Sequence, residues 1–242
     1  MKVSTGVQAL YSETSLFARL KAVCNDDWRA YVGHAFVKRL ADGTLPEACF
    51  RHYLGQDYLF LIHLARAYAL GAYKSDTLSD MREAAAMLSA IVDVEMRLHV
   101  KFCAGWGLTE ASMAAAAEAP ETMAYTRYVL ERGTSGDILD LQVALAPCVI
   151  GYAEIGANLE ADADTRIEGN PYGEWIEMYA GEAYQELARG EAARLDRLAL
   201  ARAGIGAGEE ADGEGRFANL AATFRQATVL ETAFWDMGLA AG

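Results

Sequence analysis

Several residues in this chain place a reactive or titratable group inside apolar sequence. Cys148 follows Pro147 in the run Ala144-Leu145-Ala146-Pro147-Cys148-Val149-Ile150. A thiol there is either a small hydrophobe of the core or a nucleophile. Tyr152 sits one helical turn beyond it, on the same face. Three carboxylates have similar surroundings: Asp57 within Tyr53-Leu54-Gly55-Gln56-Asp57-Tyr58-Leu59-Phe60-Leu61, Glu154 in the apolar stretch after Cys148, and Glu231 within Val229-Leu230-Glu231-Thr232-Ala233-Phe234-Trp235. A buried helix carries a carboxylate only where the charge is paired, turned to solvent or used. If they are used, the chemistry is nucleophilic addition with acid/base help. A free thiol has a pKa of about 8.5 and needs assistance near neutrality. A carboxylate whose pKa is raised by burial can trade a proton with a reacting heterocycle. Glu231, Phe234 and Trp235 fall on one side of a helix. Tyr125, Tyr128 and Tyr179 read either as core packing or as walls of a site.

Metal chemistry has less support. His34, His52, His63 and His99 all lie in the first half of the chain. Glu95 and His99 share a helix face, but a carboxylate-bridged di-iron bundle needs Glu-x-x-His pairs on two helices. No His follows His99, so the second half cannot complete that pattern. Cys24, Cys49, Cys103 and Cys148 are scattered, without CxxC spacing. The expectation is four reduced thiols, no metal and no cofactor.

Composition narrows the partners. The 242 residues include 34 acidic and 21 basic side chains, a net charge of −13. Such a chain is repelled by phosphate backbones and anionic lipid, so neither nucleic acid nor membrane is an expected partner. Hydrophobic residues make up 53% of the sequence, which excludes general disorder. The start, Met1 to Gly6, lacks the basic and apolar regions of a signal peptide, and a cytoplasmic location is expected. The longest apolar stretch, Leu141 to Leu159, reads as too polar and too short to span a bilayer.

The elements that must position these groups are helices. Apolar residues recur at spacings of three and four, and strand-like alternation is nearly absent. The pattern predicts a first stripe from Phe17 interrupted near Asp26-Asp27, then helices at about 34–41, 46–72, 78–104, 109–117, 121–132, 137–160, 174–203 and 217–240. Pro46 suits a helix start. Residues 162–173, with Gly169-Asn170-Pro171, predict a loop. The Gly-rich acidic run 204–215 predicts a flexible, exposed segment. The reading is one all-α domain over residues 1–242, a bundle of eight or nine helices.

Four blocks, in order, resemble the TenA family, known as thiaminase II or aminopyrimidine aminohydrolase. They are Tyr53 to Leu61, Tyr125-Thr126, Ala146 to Gly156, and Glu231-Thr232-Ala233-Phe234-Trp235, with Trp175 to Gly181 between the last two. The resemblance spans about residues 15–240. It implies a fold similar to haem oxygenase without haem, a homotetramer, and hydrolysis of thiamin or of aminomethylpyrimidine to hydroxymethylpyrimidine. It further implies Cys148 as the nucleophile that adds to the pyrimidine ring, and Glu231 as the acid/base for the ring nitrogen. Asp57 would bind the amino-pyrimidine edge. Tyr152 and Tyr179 would hydrogen-bond in the site, with Tyr179 orienting Glu231, while Tyr125 and Phe234 would line it. Phe60 stands where family members can carry Tyr, losing a hydroxyl, and Ile150 stands where an aromatic residue is sometimes found. Other classes consistent with such a bundle are an oxygenase with a metal or redox cofactor and a pyrimidine-binding regulator without turnover.

Overall fold

A computed structural model describes residues 9–203 and 213–242. Among them every regular element is helical. Helices α1 (Leu16–Val23), α2 (Asn25–Val32) and α3 (Ala35–Asp42) are short, and α4 (Glu47–Lys74) is long. Helix α5 (Leu78–Ala90), a π-helical segment (Ile91–Glu95) and α6 (Met96–Gly105) form one continuous rod. Helices α7 (Glu110–Ala114) and α8 (Pro120–Ser135) follow. A second rod comprises α9 (Ile138–Ala146), a π-helical segment (Pro147–Gly151) and α10 (Tyr152–Ala161). Then come α11 (Gly173–Ala180), α12 (Glu182–Ala203) and α13 (Gly213–Leu239).

Local chemistry sets these boundaries. Ser15 Oγ accepts from the Ala18 N–H and starts α1, and Thr77 does the same for α5 through Asp80. Gly43, at φ 77°, ends α3 in the left-handed region that favours glycine. Pro46 precedes α4, as expected, and 28 residues carry that helix for about 42 Å. Asp137 accepts from the Leu139 and Asp140 N–H groups, while Asp140 accepts from the Asp137 N–H. Arg216 of α13 then binds both carboxylates, at 2.9 and 2.7 Å, and ties α9 to α13.

The observed helices are more numerous than the eight or nine expected, for local reasons. Residues 25–32 form their own helix after a break at Cys24. The helix expected over 174–203 is cut at Gly181, whose ψ of 144° turns the chain between α11 and α12. The last helix opens at Gly213 rather than 217, so residues 213–215 of the Gly-rich run are helical. The rest of that run, 204–212, lies outside the described residues. The rod Ile138–Ala161 matches the helix expected over 137–160, but the expectation that its apolar stretch is too polar and too short to cross a bilayer is not met. Its length and composition alone would suit a membrane crossing, yet most of it is buried inside the fold.

The core lies where α4, α8, the Ile138–Ala161 rod and α13 meet. Aromatic rings fill it: Trp28 stacks on Phe224 at 5.6 Å, and Trp235 on Phe36 at 4.9 Å. Glu154 is paired rather than available. It binds Lys21 Nζ at 2.7 Å and accepts from Trp28 Nε1 at 3.0 Å.

One close approach sets the position of α11. A Cβ on Gly156 would lie 2.4 Å from the Tyr179 carbonyl carbon and 2.6 Å from the Ala180 nitrogen. Both are backbone atoms, so no side-chain rotation relieves the clash. Gly156→Ala is therefore expected to cost about 1–3 kcal/mol, lowering the melting temperature by several degrees. Circular dichroism melts check this, and a melt within a degree of wild type would contradict the packing.

Candidate active site

Pro147 begins the site. Within a helix, proline removes a hydrogen bond and crowds the carbonyl four residues earlier. Here the rod widens into a π-helical turn at Pro147–Gly151. Such turns recur at functional sites. The Tyr31 hydroxyl donates to the Pro147 carbonyl at 3.2 Å, and Gly151 lets that ring pack against the turn: a Cβ there would meet it at 2.5 Å. The turn presents Cys148 to a cavity of about 600 Å³, its mouth included.

The eight residues that the family resemblance places in the site all line this cavity: Asp57 and Phe60 from α4, Tyr125 from α8, Cys148 and Tyr152 from the second rod, Tyr179 from α11, and Glu231 and Phe234 from α13; Tyr128, also a candidate, does not. Phe60 lies between two other rings, 5.2 Å from Tyr125 and 5.9 Å from Phe234. Tyr152 and Tyr179 are 5.0 Å apart. The walls thus suit a flat ring, and the polar groups stand out against them.

Glu231 is 2% exposed. Its Oε1 accepts the Tyr125 hydroxyl at 2.8 Å. Tyr125, and not Tyr179 as expected, is thus the tyrosine that holds this carboxyl. Tyr179 packs instead against Tyr152 and Trp175, with ring centroids 5.0 and 4.6 Å away. Burial pushes the Glu231 carboxyl up to about 8, outweighing the Tyr125 bond, which favours the ionised form. Asp57 is likewise raised to about 7 by burial. Its Oδ2 faces His99 Nδ1 at 3.5 Å, while the opposite ring nitrogen of His99 is 3.0 Å from the Leu54 carbonyl.

Cys148 is a thiol rather than a ready thiolate. Its Sγ lies 3.0 Å from the Leu145 carbonyl, which accepts the S–H. Burial, followed by the charges of Glu231, Glu191 and Glu95, raises its pKa well above the ordinary value, with the Tyr125 hydroxyl opposing. Any reaction of this sulfur as a thiolate must therefore be coupled to removal of its proton.

Sequence reasoning missed several residues of the cavity. Met87, Ile91 and Glu95 line it from the first rod, and Tyr184 and Leu187 from α12. The four-residue spacing of 87, 91, 95 and 99 marks one helix face, but the sequence presents Glu95 and His99 only as potential metal ligands. Among the described residues, no group of three His, Cys, Asp or Glu side chains is placed to hold a metal ion.

Burial of the carboxyls has a measurable sign. A carboxyl whose pKa is raised by folding stabilises the fold below its unfolded value, 4.5 for Glu231, and loses that contribution as pH rises through its folded value, about 8. Wild-type stability should thus fall from pH 5 to 9 relative to Glu231→Gln. The difference should change by a few kcal/mol, on the order of one to two per pKa unit. Urea denaturation at both pH values tests this. A constant difference between the two proteins would mean that Glu231 is not desolvated.

Comparison with known proteins gives the chain's family. Residues 24–241 match the TENA/THI-4/PQQC family. An aminopyrimidine aminohydrolase of Halalkalibacterium halodurans is 36% identical over 211 residues, covering 87% of this chain and 89% of that protein. A crystal structure described as a TenA family transcription regulator, from Silicibacter sp. TM1040, is 45% identical. It superposes with a TM-score of 0.86, covering 93% of this chain and 96% of the other. A Shewanella denitrificans domain described as having a heme oxygenase-like fold is only 14% identical. It aligns at a TM-score of 0.68 over 91% of this chain and 90% of that one, a likeness of fold alone. The all-helical bundle expected from the sequence is thus the observed fold, and the chain belongs to the TENA/THI-4/PQQC family.

Proposed function

We propose that this chain is a hydrolase of aminopyrimidines. It cleaves the bond from the exocyclic methylene to a nitrogen leaving group, in thiamin or in aminomethylpyrimidine, and releases hydroxymethylpyrimidine. The observation that carries this reading is one cavity holding a thiol, a neutral-range carboxyl at Glu231 and a second carboxyl at Asp57 between aromatic walls. The name of the Halalkalibacterium relative supports it.

The roles follow from the groups. Asp57 accepts from the exocyclic amine of the ring. Phe60, Tyr125 and Phe234 form an aromatic wall, and Tyr152 and Tyr179 offer hydroxyls. Cys148 Sγ bonds to a ring carbon while its proton passes through Glu231 to a ring nitrogen, so no free thiolate accumulates in an acidic pocket. The exocyclic C–N bond then breaks with its electron pair going to nitrogen, and the ring N–H returns its proton to Glu231. Water adds its oxygen to the methylene as the ring nitrogen takes up a proton again. Loss of that proton and cleavage of the C–S bond restore the thiol. Each proton and electron pair is carried by the thiol, the carboxyls, substrate and water, so the scheme calls on no cofactor.

The regulator reading draws on the description of the Silicibacter protein. A net charge of −13 disfavours a phosphate backbone as partner. A binding role alone also leaves the thiol beside Glu231 without a purpose. The remaining parts of the reading are a single domain over residues 1–242, a cytoplasmic location and a homotetramer. Support for the single domain is the shared core, which runs from Leu16 to Met237. The tetramer rests on the family resemblance, and symmetric closed assembly is the usual form of soluble oligomers.

Two measurements test this. Cys148→Ala should fold, with a melt near wild type, and lose turnover of aminomethylpyrimidine. Glu231→Gln should lower kcat by about 10²–10⁴-fold while still binding hydroxymethylpyrimidine. Full activity in Cys148→Ala would remove the nucleophile, and wild-type kcat in Glu231→Gln would remove the acid/base. Separately, light scattering at micromolar concentration should give four times the chain mass. A monomer would overturn the tetramer.

A further inference from the structure

Glu95 has no role in the scheme above. It lies in the π-helical segment of the first rod, facing the cavity that Asp57 and Glu231 line from α4 and α13. The three carboxyls therefore approach one small space from three separate elements. No Lys, Arg or His lines that space among the described residues. Glu231 has its Tyr125 hydrogen bond and Asp57 faces His99, but no hydrogen bond or ion pair to Glu95 is present among the described residues. A carboxyl so placed is costly to ionise, and burial pushes it up to about 7, with Asp57 adding and His99 opposing. Tyr179, Tyr184 and Cys148 also feel its charge. A bound cation would reverse that cost.

We propose that Glu95 is the specificity-determining carboxylate that receives the cationic nitrogen of the leaving group, so that the site selects alkylammonium or thiazolium substrates over neutral ones. This rests on the hydrolase reading. In the bond-breaking step the electron pair passes to nitrogen: an alkylammonium departs as neutral ammonia, and a thiazolium departs as neutral thiazole. The balancing proton moves from the ring N–H to Glu231. The positive charge beside Glu95 is thus present on the bound substrate and disappears during cleavage. An interaction of this kind is spent on binding substrate rather than on the transition state, so its loss appears mainly in KM.

The test compares wild type, Glu95→Gln and Glu95→Asp, using aminomethylpyrimidine as the cationic substrate and hydroxymethylpyrimidine as a neutral ligand with the same ring. Glu95→Gln should raise KM at least tenfold with kcat down less than threefold. Its inhibition constant for hydroxymethylpyrimidine should stay within twofold of wild type. Glu95→Asp, which keeps the charge, should recover most of the KM. An unchanged KM in Glu95→Gln overturns the proposal. So does a KM and an inhibition constant that rise together, since that would mean a general distortion of the ring pocket. If Glu95→Gln fails to fold, the Asp variant decides: a wild-type ratio of KM to inhibition constant supports the proposal, and an altered ratio overturns it. Absence of turnover in wild type would bring down the hydrolase reading and this inference together, a result distinct from an active wild type with an indifferent Glu95→Gln.

Discussion

The site depends on keeping carboxylates away from water without giving them a cation. Glu231 is almost wholly enclosed, and one tyrosine hydroxyl is its hydrogen-bond partner. A carboxyl in such surroundings retains its proton to a pH that an exposed one never reaches. That constraint gives the pocket a carboxyl that titrates at about 8. It also raises the Cys148 thiol, first because burial opposes a thiolate and then because the charges of Glu231, Glu191 and Glu95 do. In the proposed reaction the thiol and the Glu231 carboxyl are therefore linked: the sulfur acts only as its proton leaves, and Glu231 is the group proposed to move it.

Holding that arrangement requires rigid neighbours, and the bundle supplies them. Asp57 and Phe60 share one face of α4, so their spacing follows from helix geometry alone. Cys148 follows from Pro147, whose missing N–H widens the rod into a π-turn. Tyr179 follows from Gly156, which lets two backbones come closer than any side chain would permit. The aromatic stack of Trp235, Phe36 and Tyr53 fixes α13 behind Glu231, with ring centres 4.9–5.3 Å apart. Packing of this density is what an unpaired buried carboxyl must be set against.

Much of this was legible in the sequence, for particular physical reasons. Polar residues in apolar helices stand out against a 3.6-residue period, and Asp57, Cys148 and Glu231 were found that way. Glu154 passed the same filter and is an ordinary ion pair with Lys21, because periodicity cannot tell which buried carboxyl has a partner 133 residues away. The partner of Glu231 was misassigned to Tyr179 because tyrosines on different helices look alike until packing places them. Glu95 was hidden by its flanks: Val92, Val94 and Leu98 are exposed, so the rod shows no clean apolar stripe from which one acid could deviate. The break at Gly181 was missed because a single glycine within a helical pattern is compatible with continuation.

The fold by itself says little about chemistry, since a 14% identical domain shares it. What the fold alone does not give is the sign of the charge inside the cavity. Among the described residues, three carboxyls and no basic lining side chain make a space that resists anions and neutralises itself by taking up protons. Such a space has two ways to lower its energy: to hold protons, as the raised values of Asp57, Glu95 and Glu231 indicate, or to hold a cation. A cationic aminopyrimidine satisfies both. Its charged nitrogen takes the place of one proton, and its ring nitrogen accepts another as the sulfur adds. In the proposed reaction, the electrostatic cost that opposes a thiolate in the pocket is relieved when such a molecule enters, which couples activation of the Cys148 sulfur to the charge of the substrate.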